Sequence, residues 1–307
     1  VAPYLDAFVP AFGLLALGAL LRRRLLREEA LWAGIERLVF WVLMPALLAS
    51  AIASVDLAAL PLGRMAVAIW LALLGGTAAS LLLARAFALS HASMTSVLQG
   101  GIRFNNLMGF AVVGGIYGAP GTALGAVATG LIVPMVQAVT VLAFALGRDG
   151  AGRVSPLRVL GQVLANPLIL GCLAGFAAAA LGGLPPGVQP LLRALGQAAI
   201  ALGLLCVGAA LTWGALRGRP GLQAATCLVK LVVVPAMTLA LGRALGLDPL
   251  PLAVALVFMA LPTATTSYVM TRAMGGDAPL MAALITTEHL LAMLTLPLWI
   301  ALLGAGG

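Results

Sequence analysis

The chain has 307 residues, of which 63% are hydrophobic and only 8% charged, with a mean hydropathy of +1.14 and a formal net charge of +8. A soluble domain carries about a quarter charged residues, so this composition excludes one, and the apolar stretches are too long for the strands of a membrane barrel. The basic residues are dispersed among short loops, which reads as a topology signal and excludes a nucleic-acid surface.

Breaks at charge clusters and Gly/Pro runs predict an all-α integral membrane protein of ten spans. They fall at roughly 3–21, 32–54, 65–88, 97–118, 121–147, 157–180, 191–213, 222–245, 249–272 and 278–303. With the first loop in the cytoplasm, that side holds Arg22, Arg23, Arg24, Arg27, Arg85, Arg103, Arg148, Arg153, Arg158, Arg217, Arg219 and Arg272. The other side holds only Arg64, Arg193 and Arg243, so the positive-inside rule places both termini on the outer (periplasmic) side. Five spans per half make the second half enter with the opposite orientation, which predicts inverted repeats over 1–147 and 157–307. The loop Gly150-Ala151-Gly152 is the expected linker, and no further soluble domain fits.

The first span starts without a basic region and carries Asp6, which argues against a cleaved signal peptide. It ends in an Arg22–Arg27 cluster suited to lipid headgroups. In span two, Pro45 bends the helix, either for packing or to line a site. Gly75-Gly76-Thr77 in span three is a small-residue packing stretch. Cys172, Cys206 and Cys227 stand singly in apolar segments as small packing residues.

Span four holds Arg103-Phe104-Asn105-Asn106-Leu107-Met108-Gly109. Two adjacent amides and an arginine are costly in hydrocarbon unless they face protein, water or a ligand. Span nine answers with Leu261-Pro262-Thr263-Ala264-Thr265-Thr266-Ser267-Tyr268, and an offset of 158 residues sets Asn105 opposite Thr263. The residues downstream of the two stretches are also alike: Gly115 to Ala126 overlays Ala273 to Leu284. Interrupted polar helices at matching places in two halves are the signature of a secondary transporter, with helix breaks expected at Pro45, Gly109 and Pro262. Interhelical hydrogen bonding is the alternative, but consecutive amides point to different helix faces. Asn105, Asn106, Thr263, Thr265, Thr266 and Ser267 are the candidate substrate residues, with freed backbone N–H groups suited to a carboxylate.

Four other polar residues lie near these stretches. Arg103 is either an inner-leaflet anchor or an anion contact; Lys230, the only lysine, is a packing residue, a structural cation or a substrate contact. Glu288, the only acid well inside a span, is a natural proton carrier, or it neutralises Lys230 or Arg103. His289 beside it adds a group that titrates near neutrality when unperturbed. Tyr268 packs or touches substrate. His91 and His289 are the only histidines, and no nucleophile motif, phosphate loop or metal spacing occurs, so neither an enzyme nor a metal cofactor is expected.

On these residues the chain resembles the auxin efflux carrier family, in its bacterial branch. The resemblance spans nearly the whole chain. It is carried by Arg103-Phe104-Asn105-Asn106, Ile116-Tyr117-Gly118, Leu261-Pro262-Thr263-Ala264, Gly275-Gly276-Asp277, Met44-Pro45-Ala46-Leu47 and Gly208-Ala209-Ala210-Leu211. It implies unwound fourth and ninth helices that cross near the membrane centre. A scaffold of spans 1, 2, 6 and 7, often dimeric, and an elevator-like transport domain of spans 3–5 and 8–10 are also implied. Phe104 stands where plant-like members have proline, and Asn106 where threonine is expected. The expected function is secondary transport of a small organic anion, such as malonate, malate or an auxin-like acid, across the plasma (inner) membrane, with coupling to H+ or Na+ open. A sodium symporter and a flux-free anion sensor are the rivals.

Overall fold

The structure, a computed structural model, describes residues 2–54, 62–146, 157, 160–161 and 164–304. The linker at 150–152, and Arg148, Arg153 and Arg158 with it, fall outside the described residues. The described chain is helical throughout: α1 (Ala2–Arg24), α2 (Glu29–Leu38), α3 (Met44–Ala53), α4 (Leu62–Ala86), α5 (His91–Ile102), α6 (Asn106–Ala145), α7 (Pro167–Ala180), α8 (Val188–Ala210), α9 (Pro220–Leu228), α10 (Val234–Ala244), α11 (Pro249–Met259), α12 (Thr266–Met274) and α13 (Ala278–Gly304).

Among the described residues, seven stretches are long and apolar enough to cross a membrane, and α7 and α11 are shorter apolar helices. One stretch, His91–Ala145, runs 55 residues. Even a bent path of about 80 Å far exceeds the roughly 30 Å hydrocarbon core, so it is more than one crossing. It is interrupted twice, at Arg103–Asn105 and at Gly118, whose φ of 60° and ψ of −144° only glycine adopts readily. Large apolar side chains such as Trp70, Leu82, Leu294 and Leu298 stand exposed, as a lipid-facing surface requires.

Span four begins earlier than its hydropathy suggests. Ser90 caps α5, accepting from Ser93 N–H at 3.3 Å. The hydroxyls of Thr95 and Ser96 are buried and bond back to Ala92 O, so polar residues lie inside a helix where the apolar pattern gives no start signal.

Two prolines produce π-turns rather than breaks. Val39–Leu43 precedes Pro45, and Val229–Val233 precedes Pro235. Proline lacks an N–H and crowds the carbonyl four residues back, and a wider turn relieves both. For Pro235 that carbonyl is Leu231 O, and Trp299 Nε1 donates to it at 2.8 Å. Pro45 is therefore not a helix break: its backbone packs against Gly171, where a Cβ would lie 2.7 Å from Pro45 Cα. Gly109 is not a break either. It is buried inside α6, and the interruption precedes it; a glycine without positive φ leaves helical hydrogen bonding intact.

Contacts divide the chain into two units. The first holds Val1–Leu62, Asn106–Val133 and Gln162–Ala210. Its centre is α3 against α7 and α1 against α8, with Gly18 on the Leu205 carbonyl and Gly208 on the Leu15 carbonyl; a Cβ at either would collide with backbone. The second holds Gly63–Asn105, Pro134–Gly161 and Leu211–Gly307. In it α13 packs on α5, α9, α11 and α12.

Candidate functional site

The second unit contains two helix interruptions bonded to each other. One is the extended stretch Arg103–Asn105 between α5 and α6; the other runs from Leu261 to Thr265 between α11 and α12. Asn105 N–H donates to Pro262 O at 2.8 Å, and Thr263 Oγ1 donates to Gly100 O at 3.0 Å. The first interruption forms without proline. Arg103, extended at φ −76° and ψ 161°, closes α5 by donating its N–H to Gln99 O. The ring of Phe104 packs on Phe258, with centroids 6.2 Å apart.

Side chains from three further elements meet the broken backbone. Glu288 Oε2, on α13, accepts from Thr263 N–H at 2.7 Å. Lys230, in the π-turn before α10, reaches Met259 O at 3.4 Å, so its ammonium stands at the carbonyl end of α11, where the helix dipole favours a cation. His289 Nδ1 lies 2.7 Å from Ile285 O. A carbonyl can only accept, so Nδ1 carries the proton, and Nε2 accepts from Asn105 Nδ2 at 3.0 Å. Asn105, Lys230, Thr263, Glu288 and His289 are all buried.

The remaining sequence candidates divide by exposure. Thr265 is half-buried and Thr266 exposed at the start of α12, where Ser267 N–H donates to Ala264 O and Tyr268 N–H to Thr265 O, each at 3.0 Å. Ser267 is fully buried, and its hydroxyl has no partner among the described residues. Asn106 belongs to the first unit, where it accepts from Thr129 Oγ1 at 3.1 Å. Arg103 rests on Met270 Sδ at 2.9 Å and Gln99 Oε1 at 3.5 Å, and makes no ion pair among the described residues. The N–H groups of Asn105 and Thr263, expected to face a ligand, instead hold the interruptions together.

Sequence reasoning missed two contributors. Buried Gln99 donates to Thr271 Oγ1 at 2.8 Å; a lone amide one helical turn before Arg103 was the available signal. Asp277 caps α13, accepting from Leu280 N–H at 3.1 Å, a helix-start pattern visible in the chain. Its other oxygen accepts from Ser93 Oγ at 2.8 Å and lies 3.8 Å from Arg219. A cavity of about 580 Å³ lies here, lined by Thr212, Arg219, Tyr268, Asp277 and Leu280 among others. That is within the range of small-molecule sites. Among the described residues no cluster of His, Cys, Asp or Glu could hold a metal ion.

The helices and the paired interruptions define a multi-pass membrane protein with a polar centre built from broken helices. Residues 152–300 match the family model described as Membrane transport protein, and the curated proteins give no match. This part of the chain, just under half of its length, is thus similar to the auxin efflux carriers, whose members are membrane transporters.

Proposed function

We propose that the chain is a secondary active carrier for a small organic anion. The observation that carries this is the bonded pair of interruptions at Asn105 and Pro262–Thr263, beside which α12 presents its N-terminal end with Thr265 and Thr266. Such an end suits a carboxylate: the positive end of the helix dipole and the hydroxyls favour it without a fully buried salt bridge, whose disruption costs about 3–5 kcal/mol. In this reading Asn105 and Thr263 fix the shape of the site, and Thr265, Thr266 and Ser267 supply donors.

The reading extends to ten spans in two inverted repeats, counting His91–Ala145 as two crossings and the interrupted α11–α12 as one. It assigns α1–α3, α7 and α8 to a scaffold, which pairs into a homodimer, and α4–α6 with α9–α13 to an elevator-type transport domain. The arginine distribution supports a plasma-membrane orientation with both termini outside.

Uptake of labelled malonate, malate and indole acetate into proteoliposomes tests the function. Saturable uptake above protein-free vesicles is expected for one of them. Saturable binding without flux would make the protein a sensor, and flux only with sodium a sodium symporter.

A further inference from the structure

The polar centre holds one feature that anion binding leaves unused. Glu288 is 0% exposed; Oε2 is met by Thr263 N–H, but Oε1 has no hydrogen-bond partner among the described residues. The nearby Thr263 hydroxyl has one hydrogen, which points to Gly100 O. A Cβ at Gly100 would lie 3.4 Å from Oε1, so the α5 backbone passes close to that oxygen. A buried carboxylate oxygen without a donor is costly unless it carries a proton itself.

The surrounding charges are few. Lys230 interacts electrostatically with Glu288 from the π-turn, without a direct ion pair among the described residues. Cys227 faces it from α9, and His289, next on α13, is held neutral through Ile285 and Asn105. From α5, the Arg103 guanidinium turns to Gln99 and Met270. The carbonyl end of a broken helix is where a carrier can hold sodium. Here the Lys230 ammonium already stands at that end, on Met259 O.

We propose that Glu288 is the proton site of this carrier and Lys230 its fixed counter-charge, so that one proton travels with each monovalent anion. This rests on the organic-anion reading above. Charge balance is the physical reason. Empty, the centre holds a carboxylate and an ammonium, which balance. An arriving anion would leave one negative charge in a buried site, a state strongly disfavoured in low dielectric. If Glu288 takes a proton from the same side, the neutral acid, the ammonium and the anion balance again. On the far side the anion leaves and the proton follows it, returning Glu288 to the carboxylate. Arg103 stays charged throughout and does not alter the difference. Loaded and empty forms therefore cross with equal charge, and net transport is electroneutral.

The test uses the full chain in proteoliposomes with labelled lactate and indole acetate as monocarboxylate probes. Counterflow without gradients reads the carrier itself; net uptake under an imposed pH difference, potential or sodium gradient reads coupling. Accumulation should change about tenfold per unit of pH difference, as one proton per anion requires. It should ignore a potassium-diffusion potential and a sodium gradient. A trapped pH dye should report one proton entering per anion, a readout that needs no variant. Glu288→Gln imitates the protonated form. It should lose proton-driven accumulation, because its empty form carries an unbalanced Lys230. Absence of counterflow for the wild type would remove both readings. Counterflow with accumulation driven by potential or sodium, or with proton-driven accumulation intact in Glu288→Gln, would overturn this inference alone.

Discussion

The backbone N–H of Thr263 donates to Glu288 Oε2 over 2.7 Å, so an interruption in one helix is held by a carboxylate from another. Lys230 does the same for the carbonyl end of α11 at Met259. The two side chains thus hold the two ends of one broken helix while balancing each other's charge.

That arrangement makes their removal non-additive. Lys230→Met leaves a buried carboxylate without its counter-charge, and Glu288→Gln leaves a buried ammonium; each should cost on the order of 3–5 kcal/mol. The double variant removes both charges and should be clearly more stable than the sum of the single losses implies. Thermal unfolding in detergent checks this. Additive losses would mean the two groups do not sense each other.

Thr263→Val keeps the N–H that Glu288 accepts but deletes the hydroxyl that donates to Gly100 O. The expected loss is about 1 kcal/mol of stability, with uptake reduced and membrane insertion unchanged. Thr263→Ser should retain the bond and the uptake. If Thr263→Val transports like the wild type, the hydroxyl link does not shape the site.

The interruptions are legible in the sequence because amides and a proline inside apolar runs have few structural excuses: Asn105, Pro262 and Thr263 stand out from composition alone. Their partners are harder to find. Nothing in Glu288-His289 as a dipeptide tells that the two side chains turn to different interruptions, since that depends on how α13 packs. Gly109 reads as a break because glycine disfavours helix, but the non-helical backbone sits at Gly118, and φ cannot be read from residue type. Span boundaries near α4, α8, α9 and α13 are visible in charge and Gly/Pro punctuation. The start of α5 is not, because its buried hydroxyls satisfy themselves on its own carbonyls.

The contact of α1 with α8 sets a second, site-independent expectation. Gly208→Ala would drive a Cβ into the Leu15 carbonyl, which cannot rotate away, whereas a Cβ at Gly13 meets nothing within 4 Å. Gly208→Ala should lower stability by about 1–3 kcal/mol. Gly13→Ala should be neutral or raise stability by up to about 1 kcal/mol through helix propensity. Thermal midpoints of the two variants, equal or reversed in order, would contradict the packing.

Cys172, Cys206 and Cys227 are all free and buried. A thiol-reactive maleimide should label none of them in the folded protein and all three after unfolding. Stoichiometric labelling of the native protein would show that one of these helices is open to solvent.

The bonded interruptions are the proposed site of a carboxylate carrier. The most direct measurement is counterflow of a labelled carboxylate by wild type and Asn105→Ala, reconstituted at equal density and matched for folded protein. Counterflow is expected for the wild type, and exchange at the level of protein-free vesicles for the variant. Equal exchange by both would contradict the proposal.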